Sequence, residues 1–280
     1  MKIISVLNHK GGVGKTTFSG STAQALAILG YRVLAIDNDS QHNLSSLLCV
    51  GSKSPNIHDV YMAEPVKAAK LLLESVRKTS LENLHLVTSS GDLSASCVFD
   101  IMHLKKTIEY CVLERFYDFI LIDNAPGMDL LQAAAVHAST EIFVPTELRQ
   151  FAVDGLVEME QALKSKYPHA ARISKIIPNF YKNVKRQNTF IAVLKQLFPG
   201  RVTSTRIPVD NVFDEVVTDG KILFLHRLYS KGAAFYLKLV HELFSLDEDT
   251  VWEQVVTKRK EHISNQARER FLSRKESALW

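Results

Sequence analysis

A glycine-rich segment near the start of the chain has the residue types of a phosphate-binding loop. Residues 8–17 read NHKGGVGKTT. The end of this segment fits the pattern G-x-x-x-x-G-K-[ST], in which backbone N–H groups surround phosphate oxygens, lysine pairs with the β- and γ-phosphates and the hydroxyl binds Mg²⁺. The residues predicted to contact nucleotide are Gly11, Gly12, Val13, Gly14, Lys15, Thr16 and Thr17.

The same segment departs from the general pattern at two positions. Position 9, where the pattern has its first glycine, is His9, and a second lysine, Lys10, lies five residues before Lys15. One lysine is enough to pair with the phosphates that a loop binds. Lys10 therefore needs a separate explanation.

Carboxylates follow two of the apolar runs. Asp123 ends the run FILI, and Asp37 and Asp39 follow the run VLAI. Carboxylates at the carboxyl ends of parallel strands lie on the side of a sheet where ligands bind. Asp123 is therefore predicted to hold Mg²⁺, and Asp37 and Asp39 to flank the metal and phosphates, where a carboxylate can orient water or accept its proton.

Apolar β-branched runs alternate with helical patterns over residues 1–246. Continuous apolar strands are buried on both faces, and strands that alternate with helices form βαβ units with a parallel sheet. The pattern predicts one doubly wound α/β domain, a mostly parallel sheet flanked by helices, with residues 52–64 as its loosest stretch. The predicted strands are 3–8, 32–37, 85–90, 118–123, 141–145, 172–177 and 202–207. The predicted helices are 15–29, 104–115, 130–138, 152–167, 186–198 and 231–246.

The last part of the chain, residues 247–280, has a different composition. Residues 251–280 carry seven lysines and arginines against four glutamates. Apolar residues recur there at roughly helical spacing, which predicts an added C-terminal helix, docked or projecting. These apolar residues are Val251, Trp252, Val255, Val256, Ile263, Ala267, Phe271 and Leu272.

Composition limits the classes of protein to consider. A net charge of +4 permits contact with nucleic acid or anionic lipid without requiring it. The three cysteines, Cys49, Cys97 and Cys111, have no C-x-x-C spacing, which predicts reduced thiols in a cytoplasmic protein. The first apolar run is too short for a signal peptide, and no run approaches the roughly 20 apolar residues that span a bilayer.

These motifs together resemble the ParA/MinD family of deviant Walker-A P-loop ATPases. Residues 10–17, KGGVGKTT, are similar to that family's Walker-A loop, residues 37–43 to its D-x-D-P-Q-G-N segment, and residues 118–126 to its D-Y-I-I-I-D-T-P-P segment. The resemblance covers residues 1–246. It is nearest to the Soj-like partition branch that lacks an N-terminal helix-turn-helix domain.

The resemblance implies a role for each matched residue. Lys10 would cross an ATP-dependent homodimer to the phosphates of the other subunit, Lys15 would bind the nucleotide of its own chain, and Asp39 would activate the attacking water. Thr16, Asp37 and Asp123 would surround Mg²⁺, and Asn179 and Pro208 would line the adenine pocket. The departures from the family are Ser40, His42, Asn124, Ala125 and the segment 209–211, Val-Asp-Asn, where the partition branch often carries an arginine.

The resemblance also implies a cellular role. The ATP-bound dimer would bind non-specific DNA, would associate with the nucleoid in the cytoplasm, and would hydrolyse ATP to ADP slowly until a ParB-like or other adaptor stimulates it. Its cargo would be a plasmid, a chromosome or another assembly. Basic residues that could contact phosphates are Lys182, Lys185, Arg186, Lys195, Arg201, Arg206, Lys221, Arg227, Lys231, Lys258, Arg259, Lys260, Arg268, Arg270, Arg274 and Lys275.

Four other interpretations of the sequence remain at this stage. A MinD-like membrane-associated ATPase would need a terminal amphipathic helix with a continuous apolar stripe, which the basic residues near Phe271 interrupt. An iron–sulfur carrier would need paired cysteine ligands, and Cys97 is the single good candidate. A metabolic ligase has no supporting substrate motif. A non-catalytic nucleotide-gated scaffold is disfavoured by Asp39 and Asp123.

Overall fold

A central sheet, mostly parallel, forms the middle layer of the protein. The computed structural model describes the backbone of residues 1–277 and the side chains of residues 1–216 and 220–268. The strands are β1 (Lys2–Val6), β2 (Val33–Asn38), β3 (Val76–Lys78), β4 (Leu84–Val87), β5 (Phe119–Asn124), β6 (Glu141–Glu147) and β7 (Ile173–Asn179). Within the described chain they form a seven-stranded sheet in the order β3-β4-β2-β5-β1-β6-β7. The β3 strand pairs antiparallel with β4, and the other pairs are parallel.

Helices cover both faces of this sheet. They are α1 (Lys15–Ile28), α2 (Asn43–Leu47), α3 (Ile57–Met62), α4 (Pro65–Glu74), α5 (His103–Tyr110), α6 (Leu130–Ala138), α7 (Gln150–Ser165), α8 (Lys185–Leu197), α9 (Val212–Asp219), α10 (Leu223–His226), α11 (Lys231–Phe244) and α12 (Glu248–Ser277). Alternate residues of β2 enter different cores: Val33 and Ala35 pack with α1 and α11, whereas Leu34 and Ile36 pack with α3 to α6. Because successive strand residues point to opposite faces, this alternation confirms the predicted doubly wound α/β fold.

The two acidic strand ends lie side by side. In the β2–β5 ladder Asp37 is the register partner of Asp123, and Asn38 is the partner of Asn124. The Nδ2 of Asn38 donates to Oδ1 of Asn124 at 2.9 Å, and Asn124 donates to the Val6 carbonyl at 3.1 Å. These amides hold the carboxyl ends of three neighbouring strands together, directly behind the loop that follows β1.

The predicted strand over residues 202–207 is wrong. This segment runs beside β7 but forms a single bridge there, between Ile176 and Val202. The backbone N–H groups of Ser204 and Thr205 donate to the two carboxylate oxygens of Glu242, at 2.6 and 2.8 Å. The Glu242 side chain of α11 thus accepts hydrogen bonds that a neighbouring strand would otherwise accept. The parallel ladder between β7 and residues 202–207 is therefore interrupted.

Short elements between residues 40 and 115 also differ from the predictions. The stretch 52–64, predicted to be loose, contains α3, whose N-terminus is closed by a capping box between Asn56 and Asp59. The predicted helix 104–115 ends at Tyr110 and gives way to a 3₁₀ turn over Leu113–Arg115, because Val112 has a left-handed φ of 51°. The sequence patterns also missed α2, α4, β3, α9 and α10; the remaining predicted elements agree with the structure apart from their ends.

The predicted C-terminal helix is present as α12. Its first turns enter the core beside α1 and α11, with Val251 3% and Val255 0% exposed. The Arg259 Nε donates to the Leu225 carbonyl at 3.2 Å, which extends the docking by a further turn. Predictions concerning Arg270, Phe271, Leu272, Arg274 and Lys275 fall outside the described side chains. Within the described residues, no helix combines the length and apolar character needed to cross a membrane.

Candidate nucleotide-binding site

The predicted phosphate loop joins β1 to α1 and is held in shape from three sides. The Asn8 Nδ2 donates to the Pro145 carbonyl at 2.8 Å, and the Lys10 backbone N–H donates to the Asn8 Oδ1 at 3.0 Å. The Asn179 Nδ2 donates to the Val13 carbonyl at 2.9 Å. The loop is therefore anchored to the carboxyl ends of β6 and β7.

The end of the loop presents the N-terminus of α1. Gly14 is the N-cap residue, with a left-handed φ of 88° and no side-chain cap, and the first turn of α1 contains no acidic residue. Uncapped N–H groups at a helix N-terminus and the positive end of the helix dipole favour an anion. This geometry fits a bound phosphate.

A cleft of about 550 Å³ opens in front of the loop. A volume of this size suits a small ligand such as a nucleotide. Its walls come from the loop, from the segment after β2, and from the segments around residues 179 and 207–214. The lining residues are Gly12, Gly14, Lys15, Thr16, Thr17, Asp39, Gln41, Asn43, Pro126, Asn179, Phe180, Ile207, Val209, Asp210, Asn211, Phe213, Asp214 and Tyr236.

The two lysines of the loop have different surroundings. Lys15 is 6% exposed, and its Nζ donates to the Lys10 carbonyl at 3.3 Å. Burial lowers the pKa of Lys15, against the opposing influence of Asp123 and Asp39. The side chain of Lys10 is 53% exposed, and its Nζ lies 2.6 Å from the Oε2 of Glu147. Lys15 thus occupies its own loop, whereas Lys10 is directed away from it.

Asp37 is a buried carboxylate with one oxygen satisfied. Its Oδ2 accepts from the backbone N–H and the hydroxyl of Ser45, at 2.8 and 2.7 Å. Its Oδ1 is buried and has no hydrogen-bond partner among the described residues. Burial and the neighbouring Asp123 raise the pKa of Asp37 to about 7, although the hydrogen bonds from Ser45 oppose the shift.

Asp123 and Asp39 complete the acidic side of the site. The Ser19 hydroxyl donates to the Asp123 Oδ1 at 2.7 Å. Burial raises the pKa of Asp123 to about 6, against hydrogen bonds from Ser19 and Thr16 and the charge of Lys15. Asp39 is 7% exposed and lines the cleft, where its Oδ1 accepts from the Gln41 backbone N–H at 2.9 Å.

Comparisons with known proteins agree with this geometry. Residues 1–173 match the AAA domain family model AAA_31. The chain is 31% identical over 259 residues to a chromosome-partitioning ATPase Soj of Treponema pallidum, covering 88% of this chain and 98% of that protein. It is 29% identical over 264 residues to the chromosome partitioning protein ParA of Caulobacter vibrioides, covering 89% and 96%.

The chain belongs to the ParA-like family of P-loop ATPases.

Solved structures extend the comparison to bound nucleotide. The septum site-determining protein MinD of Pyrococcus horikoshii, complexed with Mg-ADP, is 27% identical with a TM-score of 0.70, covering 86% of this chain and 95% of that chain. A Cyanothece McdA variant in complex with ATP has a TM-score of 0.74 at 22% identity, covering 88% and 97%, which shows the shared fold. This ParA-like protein is an ATPase, and its cofactors are ATP or ADP and Mg²⁺.

The residues of this ParA-like ATPase fit a magnesium-nucleotide complex. Asp37, with its unpartnered Oδ1, is the register neighbour of Asp123, and the Thr16 hydroxyl is hydrogen-bonded to Asp123; hard oxygen ligands of this kind suit Mg²⁺. Two buried carboxylates held side by side are unfavourable unless protons or a cation neutralise them. Bound Mg²⁺ would supply that charge.

The two residues predicted to line the adenine pocket, Asn179 and Pro208, line two different cavities. Asn179 lines the nucleotide cleft together with Ile207 and Val209. Pro208, between them, lines a separate cavity on the other side of the same segment.

Three residues that position the site were missed by the sequence patterns. Ser19 follows Lys15 by one helical turn, and this i, i+4 spacing could have indicated it. Ser45, the donor to Asp37, lies in the short helix α2, and Glu147, the partner of Lys10, ends β6. No local pattern marks either residue, because their partners are brought together by the sheet.

Among the described side chains, some of the basic residues predicted to contact DNA form ion pairs and others line a cavity or lie along α8. Arg201 lies 3.0 Å from Glu160 and Arg227 lies 2.7 Å from Glu215, so these two charges are compensated. Lys182, Arg206 and Lys231 line one cavity. Lys185, Arg186 and Lys195 lie along α8.

None of the three cysteines is among the residues that line the nucleotide cleft. Cys97 and Cys111 are buried and Cys49 is exposed. In the described chain, no group of three or more histidine, cysteine, aspartate or glutamate residues is arranged to hold a metal ion.

The substitution Gly14→Ala is expected to abolish tight nucleotide binding. A Cβ there would lie 2.4 Å from the Asn179 Nδ2, on a backbone with a left-handed φ of 88°. A non-glycine residue in this conformation costs about 1–2 kcal/mol before any clash. The matched control is Gly12→Ala, whose φ is 70° but whose Cβ would meet no atom within 4 Å. Titration with a fluorescent ATP analogue should show a much larger loss for Gly14→Ala; equal losses would contradict a role for the Asn179 contact.

The buried aspartates predict a pH-dependent stability in the absence of nucleotide. The folded-state pKa of Asp37 is about 7, above the unfolded value of about 3.9. The protonated carboxyl therefore stabilises the fold below about pH 4, and this contribution is lost as pH rises through about 7. In urea unfolding of the wild-type chain, the free energy of unfolding should decrease between about pH 4 and pH 7 through this contribution. In Asp37→Asn that decrease should be smaller.

The comparison with wild type separates Asp37 from other titrating groups. Burial lowers the pKa of His9 and His85, so their contribution increases with pH and has the opposite sign. These histidines are present in both proteins and cancel in the difference. The same pH profile for both proteins would show that Asp37 is not held in the protonated form.

Proposed function

We propose that this ParA-like ATPase is a switch that pairs two copies of the chain when both bind ATP. The paired form would bind DNA without sequence preference, and hydrolysis stimulated by an adaptor would separate the copies. Residues 1–246 would form the ATPase domain and residues 247–280 a C-terminal helical extension. Its cellular task would be to position or segregate a cargo on the nucleoid.

The observation that carries this proposal is the direction of Lys10. Its Nζ is paired with Glu147 instead of the phosphate loop, and half of its side chain is exposed. Lys15 already supplies the cation inside the loop. The Lys10 ammonium group, which does not bind inside its own loop, is available to the phosphates of another subunit. ATP would then form part of the interface between the two subunits.

The residues around the cleft support slow hydrolysis by the single chain. Phosphoryl transfer depends mainly on positioning and on neutralising charge. Lys15 would bind the phosphates, and Asp123 and Thr16 would hold Mg²⁺, which lowers the charge of the phosphate oxygens. Asp39, at the cleft wall, would orient the attacking water and accept its proton. Arrival of Lys10 from the second subunit would add the remaining positive charge.

DNA is the surface on which this switch would act. Relatives of the chain are chromosome-partitioning proteins, and among the described side chains Lys182, Arg206 and Lys231 line one cavity. Fluorescence anisotropy of a duplex of mixed sequence should show binding that requires ATP and weakens steeply with salt. Absence of binding at low salt in the presence of ATP would contradict the DNA part of the proposal.

Membrane attachment through the C-terminal helix is the competing proposal. The exposed large apolar residues of the described part of α12, Trp252 and Ile263, are separated by exposed charges such as Lys258, Lys260 and Glu261. A surface of this kind lacks the continuous apolar stripe of an interfacial helix. Flotation with anionic liposomes and ATP tests it directly, and the DNA proposal expects the protein to remain unbound.

A further inference from the structure

Ser45 holds one oxygen of the buried Asp37 carboxylate. Its backbone N–H and its hydroxyl both donate to the Asp37 Oδ2, at 2.8 and 2.7 Å. The two residues are 1% and 0% exposed, so bulk water does not compete for this oxygen. The other oxygen, Oδ1, is buried and has no hydrogen-bond partner among the described residues. The carboxylate therefore has one oxygen occupied by two donors and one oxygen free.

The Ser45 hydroxyl has a defined direction. Its Oγ accepts the Ser89 backbone N–H at 3.4 Å, and its one hydrogen is donated to Asp37. An ionised carboxylate only accepts hydrogen bonds, and a serine hydroxyl has a single hydrogen to donate. Without this hydroxyl, the Asp37 Oδ2 would keep the Ser45 N–H as its one donor from this residue. The carboxylate would then be free to rotate and to present both oxygens.

The short helix that carries Ser45 is packed against α1. Leu44 and Leu47 of α2 are 0% and 1% exposed. Gly20 of α1 allows the close approach, because a Cβ at that position would lie 2.6 Å from the Leu47 Cδ2. Apolar packing thus fixes where α2 lies, and Ser45 donates to Asp37 from a fixed position.

The neighbouring carboxylate is arranged in a similar way. Asp123 is the register partner of Asp37 on the adjacent strand, and its Oδ1 accepts the Ser19 hydroxyl at 2.7 Å. Each of the two carboxylates therefore has one oxygen engaged by a serine hydroxyl. A small cation that needs few protein oxygens fits such a pair better than a large cation that needs more of them.

We infer that Ser45 is a positioning residue that makes Asp37 offer a single oxygen to the bound cation, and that it thereby favours Mg²⁺ over Ca²⁺. Mg²⁺ requires a compact octahedral arrangement, whereas Ca²⁺ takes about 6–8 oxygens and often binds both oxygens of one carboxylate. A carboxylate whose second oxygen is held by two donors contributes only its first. The inference concerns the magnesium-nucleotide complex and does not depend on pairing of two chains or on DNA.

The test measures cation-dependent nucleotide binding and requires no hydrolysis. A fluorescent ATP analogue is titrated with the full chain at a series of Mg²⁺ concentrations and, separately, of Ca²⁺ concentrations. Ser45→Ala should weaken the apparent Mg²⁺ affinity by about 10–100-fold, the usual effect of removing the hydrogen-bond partner of a metal ligand. The apparent Ca²⁺ affinity should change less, so that the ratio of Mg²⁺ to Ca²⁺ affinity decreases.

The neighbouring serine of α2 supplies the matched control. The Ser46 hydroxyl is exposed and donates to the His42 carbonyl at 3.2 Å, so Ser46→Ala should leave both cation affinities as in wild type. Ser45→Thr keeps the hydroxyl and should restore most of the Mg²⁺ affinity. Ser45→Cys, which replaces the hydroxyl by a weak donor, should resemble Ser45→Ala. A folded Ser45→Thr with the weak Mg²⁺ affinity of Ser45→Ala would contradict the role of the hydroxyl.

A double-mutant cycle shows whether Ser45 acts through Asp37. In a chain that already carries Asp37→Asn, the further change Ser45→Ala should cost no additional Mg²⁺ affinity, because the carboxylate that Ser45 positions has been removed. Losses that add fully in the double variant would refute the positioning role, since independent sites give additive effects.

The remaining outcomes are also decisive. Wild-type Mg²⁺ affinity and an unchanged cation ratio, in a folded Ser45→Ala or a folded Ser45→Cys, would overturn the inference. An equal decrease of both cation affinities would do the same, because it would indicate a general loosening of the cleft. Circular dichroism and thermal melting check the fold of each variant. Pairing of two chains and DNA binding are measured separately, so failure of this inference leaves the proposed function unaffected.

Discussion

Lys10→Ala is expected to bind ATP as tightly as the wild-type chain, to remain monomeric with ATP, and to lose about 10³-fold in kcat. The affinity should be retained because Lys15, not Lys10, lies inside the phosphate loop. The loss of rate should be large because a cation supplied by a second subunit to transferring phosphates contributes about 10³–10⁵ in rate. Light scattering after gel filtration measures the dimer, and phosphate release measures kcat.

Lys15→Ala is the contrasting variant. It should lose nucleotide binding itself, because a buried cation in contact with the loop is removed. A third variant, Glu147→Gln, removes the carboxylate that pairs with Lys10 and should leave nucleotide affinity unchanged. An ATP-dependent dimer of Lys10→Ala with normal hydrolysis would eliminate the proposed role of Lys10 across the interface.

Asp39→Ala is expected to form the ATP-dependent dimer and to retain ATP, with hydrolysis slowed by about 10²–10⁴-fold. Asp39 lines the cleft, whereas Asp37 and Asp123 lie deeper and pair with Ser45 and Ser19. Removal of a group that orients or deprotonates the attacking water lowers the chemical step by this amount. Single-turnover hydrolysis measures that step, and gel filtration with ATP measures the dimer.

The control for this prediction is Asp123→Asn. It should weaken the magnesium dependence of nucleotide binding, which Asp39→Ala should leave intact. The two aspartates are thereby distinguished by a binding measurement and a rate measurement. Wild-type hydrolysis in Asp39→Ala would assign water activation to another residue of the cleft.

The phosphate loop and the strands around it could be predicted because their signals are local. Glycines at fixed spacing, a lysine and hydroxyl at the start of a helix, and apolar runs ending in Asp37 and Asp123 need no distant contact to be recognised. The strand that was wrongly predicted over residues 202–207 is decided by a distant contact. Residues 202–207 do not continue as a strand, since Glu242 takes the N–H groups of Ser204 and Thr205.

The sequence by itself determined a phosphate loop with two lysines, two acidic strand ends and a doubly wound sheet. Tertiary structure decided where each charge is directed. It paired Lys10 with Glu147 across 137 positions of sequence, set the Asp37 and Asp123 carboxylates side by side, and gathered Lys182, Arg206, Lys231 and Lys238 around one cavity. The physical reason is that helix and strand patterns follow from neighbouring residues, whereas electrostatic environment depends on which distant segments the sheet order makes adjacent.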